Sequence, residues 1–539
     1  MTLWHPEPAN RRRMLRTPLT RAAAHKMVRP DDFMAKGFIM AQWKVLGAGS
    51  LLALLLGSTA QADVTAAQVW QSWQTLSESM GQTIKGTATQ DGDTLNVTDI
   101  TITSEFPDGS MVGSLAAVAF RDLGDGTVEV TMAPDYPVTI TTQVKGEDPV
   151  EVGLVIRQTG LKLIVSGDDA RMAHDFTADT VAVVLDHITG APDGGTGSFT
   201  VSLNGAAGQY LTSSGDQETL STELSAASLT FDGSAADPSS GGDFKISGSI
   251  EALQSTSSAI FPKGTGMADM PAALKAGLST TAALSYGKIT YSLDFKDATS
   301  SGSAKGSADN GGLAFGMDAN ALNYGILTNG TDITVSATDL PFPEVNASIA
   351  ELAFKMVMPL AQSGTAEDFS FLTRISGLSV SDEIWGMFDP GAVLPRDPAT
   401  LIIDVAGKAQ WLVDIFAQDP ATTTETPARI EALTINQIQL AFAGADVTGS
   451  GDFTFDNNDM MTYPGMPKPI GKIDARMVGV NGLIDKVIQL GYVPEEQAMG
   501  ARMMLGMFAK AVEGAEDTLT STMEFTEDGS IFANGMQIK

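Results

Sequence analysis

Between Arg429 and Phe455 apolar and polar side chains alternate almost without a break, and that rhythm limits what the chain can fold into. Leu433 and Ile435, then Ile438, Leu440 and Phe442, then Val447, Gly449, Gly451, Phe453 and Phe455 take every second position. A strand sends successive side chains to opposite faces, so this spacing makes one dry face and one wet one. The break Gly444-Ala-Asp446 holds the residue types that turn a hairpin at low cost. Similar units recur from residue 83 onward. Gln90-Asp91-Gly92-Asp93 and Asp122-Leu-Gly-Asp125-Gly126 separate alternating runs, and Asn329-Gly330 is the strongest two-residue hairpin signal in the chain. The expected fold is α+β and β-dominated: a long, twisted and curved antiparallel sheet of many hairpins with a few covering helices. A sheet of that length curls, and curling makes an apolar groove.

Helical spacing is confined to short stretches. Thr65-Ala-Ala-Gln68 has the form of a capping box, followed by Val69, Trp70, Trp73, Leu76 and Met80 on one stripe and by Gly81 as a stop. Met267–Ser279 predicts a short helix with Pro271 at its start. Ile349, Leu352, Ala353, Met356 and Leu360 predict another, as do residues 366–375, and Asp382–Phe388 a further one ended by Asp389-Pro390. A helical hairpin is expected near the C-terminus. Asn481 caps Gly482–Leu490, and Pro494-Glu-Glu starts a second helix with Met504, Leu505, Phe508 and Val512 inward.

The N-terminal region has a different composition. Residues 1–39 are Arg-rich without apolar periodicity. Met40 to Lys44, an apolar run from Val45 to Leu56 and Ala60-Gln61-Ala62 have the three parts of a cleavable secretory signal. The run is about 12 residues, short of the ~20 that a spanning helix needs. The reading is that translation starts at Met40, residues 1–39 are an upstream extension without structure, and cleavage follows Ala62. The product is periplasmic and has no transmembrane segment after cleavage. The remainder divides at Leu340-Pro-Phe-Pro343 into a β-rich part with an N-terminal helix (63–340) and an α+β part (341–539) that continues the sheet or stands apart from it.

The formal net charge is −31. Residues 1–62 hold nine Lys or Arg and three Asp or Glu, leaving 24 basic against 61 acidic residues beyond them, a net of −37. Such an anion is repelled by nucleic acid, which excludes nucleic-acid partners. There is no cysteine, so disulfides, thiolate metal sites and Cys nucleophiles are excluded.

No residue pattern specifies a reaction. Beyond Ala62 the histidines are His174 and His187, 13 residues apart and without zinc spacing, and both read as surface or turn residues. Ser285-Tyr-Gly-Lys288 matches an S-x-x-K pattern but lies in a strand, where that chemistry has no support. No catalytic residue and no cofactor is assigned. The candidates for hard oxygen ligands to calcium are Asp91 with Asp93, Asp122 with Asp125, and Asp456 with Asp459. All stand where hairpin turns favour the same residues, and none has full calcium-loop spacing.

Trp385-Gly-Met-Phe-Asp-Pro390 through Leu394-Pro-Arg-Asp-Pro398, Leu440-Ala-Phe-Ala-Gly444 with Gly449-Ser-Gly-Asp-Phe-Thr-Phe455, and Asp528-Gly-Ser-Ile-Phe-Ala-Asn-Gly535 resemble the exported Gram-negative family called domain of unknown function 2125. The likeness is taken to cover most of the chain after the signal. It implies a cell-envelope location and a β-rich fold, and no activity. The functional expectation is a non-enzymatic envelope protein that binds lipid or other envelope proteins through a curved sheet. A hydrolase of envelope polymers and a calcium-assisted binding module are the alternatives.

Overall fold

Most strands pair antiparallel with the strand before and the strand after, so the chain advances largely one hairpin at a time. The computed structural model describes residues 63–106, 109–143, 149–190, 196–237, 241–263, 269–416 and 427–539. The signal segment and the extension before it lie outside them. Among the described residues 26 strands form one sheet. With neighbouring strands about 4.8 Å apart, a meander of this kind is a ribbon on the order of 80 Å long. The sheet passes Leu340–Pro343 without interruption, since Ala321–Ala337 pairs with Val345–Pro359 across it.

Where pairing skips a neighbour, one long strand is broken in its middle. Val128–Met132 and Asp135–Thr142 lie end to end along Gly109–Asp122. Lys162–Asp168 and Val150–Thr159 share Arg171–Thr189 in the same way. The arrangement recurs later: Ser279–Tyr286 and Ile289–Lys296 share Gly242–Pro262, and Ser301–Ala308 and Asn310–Met317 share Ala321–Ala337.

These breaks line up with bulges in the unbroken strands and make a seam along the ribbon. Asp99, Gly205, Ala252, Gly330 and Gly377 stand mid-strand with positive φ. Neighbouring seam residues touch: a side chain built on Gly205 would meet Ala227 Cβ, on Gly287 Ala252 Cβ, and on Gly377 Ala350 Cβ. A bulge bends its strand and increases local twist, so a row of bulges in register folds the ribbon lengthwise into a trough. This explains why Asn329-Gly330, expected as a hairpin tip, lies inside one strand. Its positive φ serves a bend in the sheet instead of a reversal of the chain. Gly330 has φ +61, and a Cβ there would fall 2.2 Å from the Asp309 carboxylate. Replacement by Val is therefore expected to cost about 1–3 kcal/mol in urea unfolding; an unchanged midpoint would refute the seam's role.

The register carries one apolar face through the whole ribbon. On one half of the trough Val201 opposes Phe231, Phe231 opposes Gly248, Gly248 opposes Tyr291, Tyr291 opposes Gly306, and Gly306 opposes Ile333. One residue along, on the reverse face, the row is Thr200, Asp232, Ser247, Ser292, Lys305 and Thr334. Aromatic rings and glycines alternate because Phe231 and Tyr291 lie across Gly248 and Gly306, whose Cβ positions are 2.4 and 2.3 Å from ring atoms.

Five helices border the sheet among the described residues: α1 Ala66–Ser79, α2 Met270–Lys275, α3 Asp382–Phe388, α4 Val480–Gln489 and α5 Glu495–Phe508. α1 begins as expected: the Gln68 backbone N–H donates to Thr65 Oγ1 and the Thr65 N–H to Gln68 Oε1. It lays Val69, Trp70 and Trp73 into the first part of the trough. There, with Val97, Phe120, Leu163 and Val165, it forms the largest buried cluster. α2 packs Ala273 and Leu274 on Phe261 at one strand end. α3 and α4 meet around Trp385, Leu394 and Ala443 near another.

Three helical expectations need correction. Residues 349–360 lie in the strand Val345–Pro359, and 366–375 in the strand Glu367–Val380. Both segments also alternate (Leu352, Phe354, Met356; Phe369, Phe371, Ile375), and pairing on either side decides for the strand. α4 is capped by Gly479 at φ 70. Asn481 instead donates its side-chain amide to Asp517, 2.8 Å away.

Candidate functional site: the apolar floor of the trough

The strand pair 429–455 shows how the floor is built. Ala428–Phe442 and Ala445–Asp456 are joined by Ala443-Gly444, with φ 51 and 85. Two successive positive φ values fit a two-residue turn whose twist matches that of the strands. The turn sets the register Leu440 to Val447, Ile438 to Gly449 and Leu433 to Phe453. The same face then continues backwards through Ile403, Thr373, Phe354, Ile326, Leu313 and Leu284.

Burial along this floor is graded. Under α1, Val97, Phe120, Leu163 and Val165 are at 0% exposure. A cavity of about 100 Å³ remains there between Trp70, Trp73, Met80, Ile102, Tyr136 and Tyr210, and it spans both halves of the trough. Away from α1 the floor residues stay partly open: Leu313 is 39% exposed, Ile438 38% and Leu440 55%. On the rim, Ile188, Ala235, Phe244 and Phe295 line a recess of about 500 Å³. Among the described residues the largest buried cluster lies under α1, at the start of the sheet. A contiguous apolar face of this size is what binding surfaces and ligand grooves present.

The buried titratable groups of the floor, Glu218 and His174, lie toward its covered end, as does Asp122. Asp122 accepts the Ala66 N–H at 2.9 Å and so fixes the start of α1. Glu218 is buried, accepts the Ser214 hydroxyl at 2.8 Å and pairs with Lys263 at 3.4 Å. His174, expected at the surface, is fully buried and stacks on Tyr210 with ring centroids 4.0 Å apart. Its strand alternates so regularly that position 174 must face inward, a signal its polarity obscured. Burial holds its pKa down at about 3, pushes Tyr136 up to about 12, and raises Tyr210 as well. His187 does lie at the surface, between Asp186 at 2.9 Å and Glu151 at 3.1 Å, and both carboxylates raise its pKa.

His174 makes stability pH-dependent. An unfolded histidine takes up a proton near 6.5, whereas the folded ring stays neutral down to about 3. Between these values the unfolded state binds more protons, so stability falls as pH drops through the window. From pH 7.5 to pH 5 this contribution is a loss of about 2 kcal/mol. Urea melts of His174→Phe should lack it; an identical pH profile in the variant would contradict the assignment.

The calcium candidates occupy turns and serve them. Asp91 and Asp93 flank one hairpin turn, Asp122 and Asp125 lie in and beside another, and the Asp122 N–H donates to Asp93 O at 2.9 Å, which brings the two turns together. Asp125 accepts from the Thr127 backbone and hydroxyl, the hydroxyl being the larger cause of its lowered pKa. Asp459 accepts from the Thr462 N–H and hydroxyl, and Lys468 lies 3.2 Å from it and 3.5 Å from Asp456. Among the described residues no group of three or more His, Asp or Glu side chains is placed to hold a metal ion. Ser285 lies in the strand Ser279–Tyr286, as expected.

The segment around Asp389 is a structural closure. Asp389 is wholly buried and accepts the N–H groups of Val393 and Leu394 at 2.9 and 2.8 Å. Trp385 stacks on Phe442 with centroids 5.8 Å apart, and the Arg396 guanidinium lies over its ring. Tryptophan, aspartate and arginine here tie α3 to the hairpin Ala443-Gly444.

Among the described residues no helix is long and apolar enough to cross a membrane. A family profile described as an uncharacterised protein conserved in bacteria, domain of unknown function 2125, matches residues 268–538, the C-terminal half of the chain, which includes all of the quoted motifs and is narrower than the expected coverage of most of the chain after the signal. No curated protein and no solved structure matches the chain.

Proposed function

For a chain that belongs to the bacterial family named domain of unknown function 2125, we propose a non-enzymatic role in the cell envelope: holding the acyl chains of lipids along the floor of its trough. One observation carries this reading. The apolar face is continuous from strand to strand, yet beyond α1 its side chains are left partly exposed, Leu313 at 39% and Leu440 at 55%. Leaving such a face in water is costly, at roughly 25 cal/mol per Å², and an extended hydrocarbon chain is a ligand of matching shape and chemistry. The polar row of the reverse face, Thr200, Asp232, Ser247, Ser292, Lys305 and Thr334, suits an aqueous compartment. The segment 40–62 reads as a signal for export to the periplasm, with Asp63 the first residue of the mature chain.

A hydrolase of envelope polymers needs two carboxylates facing each other across a cleft, ~5–10 Å apart, and the open floor presents aliphatic and aromatic groups instead. Calcium-assisted binding needs convergent free oxygens, whereas Asp125 and Asp459 direct theirs to their own turns.

The test is mass spectrometry of lipids that co-purify with the protein from native envelopes. Acyl lipids in stoichiometric amounts are expected; none above background would overturn the reading. N-terminal sequencing of the same material should begin at Asp63, and a chain beginning earlier would refute cleavage after Ala62.

A further inference from the structure

We propose that the outer side of α5 docks on an uncharged lipid bilayer surface, placing the last strands of the trough next to the membrane; this rests on the acyl-chain reading above. α5 reads EEQAMGARMMLGMF, with its acidic residues in the first turn and Arg502 as the single charge beyond it. Ala498, Gly500, Arg502, Leu505 and Phe508 are its less exposed residues, and the Phe508 carbonyl accepts from Ser521 Oγ and from Asn534 Nδ2 at 2.9 Å. Ser521 is on the floor side, opposite Ala475, so the helix end is pinned over the last strands of the trough. On its other side Met499 and Met503 are both 67% exposed and Met507 51%, an i, i+4, i+8 stripe, with Met504 at 55% beside it. Met504, expected to face inward, belongs to this outer side. A contiguous apolar patch left in water marks an interaction surface, so the stripe calls for a covering partner.

The chemistry of the stripe and its surroundings selects the partner. Methionine is unbranched and polarisable and adapts to a fluid, irregular surface. In residues 480–508 the charged groups are Asp485, Lys486, Glu495, Glu496 and Arg502, a net of −1 in a chain of −31. Arg502 is tied to Asp485 within the hairpin. Helices that lie in a membrane interface through electrostatics are rich in Lys and Arg. This one is not, so it fits a zwitterionic surface entered by apolar contact. Tyr492, 57% exposed, donates its hydroxyl to Phe388 O at 2.5 Å and brings Met387, 60% exposed, to the same end.

The absence of cysteine allows a clean probe. Met503→Cys and Ser247→Cys, the latter on the polar face of the sheet, are each labelled with an environment-sensitive nitrobenzoxadiazole dye. With phosphatidylcholine vesicles the dye at 503 should shift to the blue and brighten at least two-fold, while the dye at 247 should not respond. Four results would overturn the proposal: no response at 503, a response that requires phosphatidylglycerol, an equal response at 247, or a blue shift that grows with protein concentration without vesicles and so reports a second copy of the chain. In parallel, Met499→Ser/Met503→Ser/Met507→Ser should lose vesicle binding ten-fold or more and keep its circular dichroism. Its affinity for a fluorescent fatty acid in vesicle-free solution should be unchanged. Loss of fatty-acid binding in this variant would make the stripe part of the trough and overturn membrane docking. Absence of fatty-acid binding in the wild type would overturn the trough reading alone.

Discussion

Phe120→Ala is expected to destabilise the protein by about 3–5 kcal/mol, the cost of a large cavity at a site that cannot collapse. Phe120 is at 0% exposure, its ring lies 5.1 Å from that of Trp73 and 6.1 Å from that of Trp70, and it opposes Leu95 and Val130 in the sheet. It is the point where α1 meets the floor. Loss of its ring removes contacts from the helix and from two strands together. Because folded domains are stable by only ~5–15 kcal/mol, the variant should unfold at markedly lower urea, with α1 detaching early in hydrogen exchange. A change below about 1 kcal/mol would mean that α1 is not the anchor of the covered end.

The second large effect concerns binding. Leu313 and Leu327 sit on adjacent paired strands and are nearly equally exposed, at 39% and 38%. They face opposite ways. Leu313 opposes Leu284 and Ile326 on the floor, whereas Leu327 opposes Gly312 and Ala353 on the reverse side. Leu313→Glu sets a carboxylate among apolar side chains, where an acyl chain would have to desolvate it, so affinity for a fluorescent fatty acid should fall at least ten-fold. A tenfold loss is 1.4 kcal/mol, below the usual cost of burying an unpaired polar group. Leu327→Glu should leave affinity unchanged. Since both positions are open to solvent, neither variant should lose much stability. Equal effects at the two sites would show that face does not matter.

The local rhythm of the fold was legible in the sequence, and its long-range bend was not. Alternation in 433–455 and the capping box at Thr65 are nearest-neighbour signals, and each reappears with its hydrogen bonds. The segments 349–360 and 366–375 carry both periodicities, so only their partner strands settle them. The seam is harder to see. Asp99, Gly205, Ala252, Gly330 and Gly377 share no motif, and successive ones lie 47–106 residues apart. They become a line only when register stacks them, and a Gly read alone points to a turn. The floor was anticipated as a groove without its residues, because choosing which alternate set faces inward needs the helix that covers one end. Turn aspartates are ambiguous in sequence for a different reason: hairpins and hard cations select the same side chain.

The most direct test of the central claim is photolabelling with a phospholipid that carries a diazirine in its acyl chain, followed by peptide mapping. Adducts are expected on floor positions such as Leu313, Tyr324, Phe354 and Ile403, with the reverse-face row Thr200, Asp232, Ser247 and Ser292 unlabelled. Adducts spread evenly over both faces, or confined to the reverse face, would contradict it.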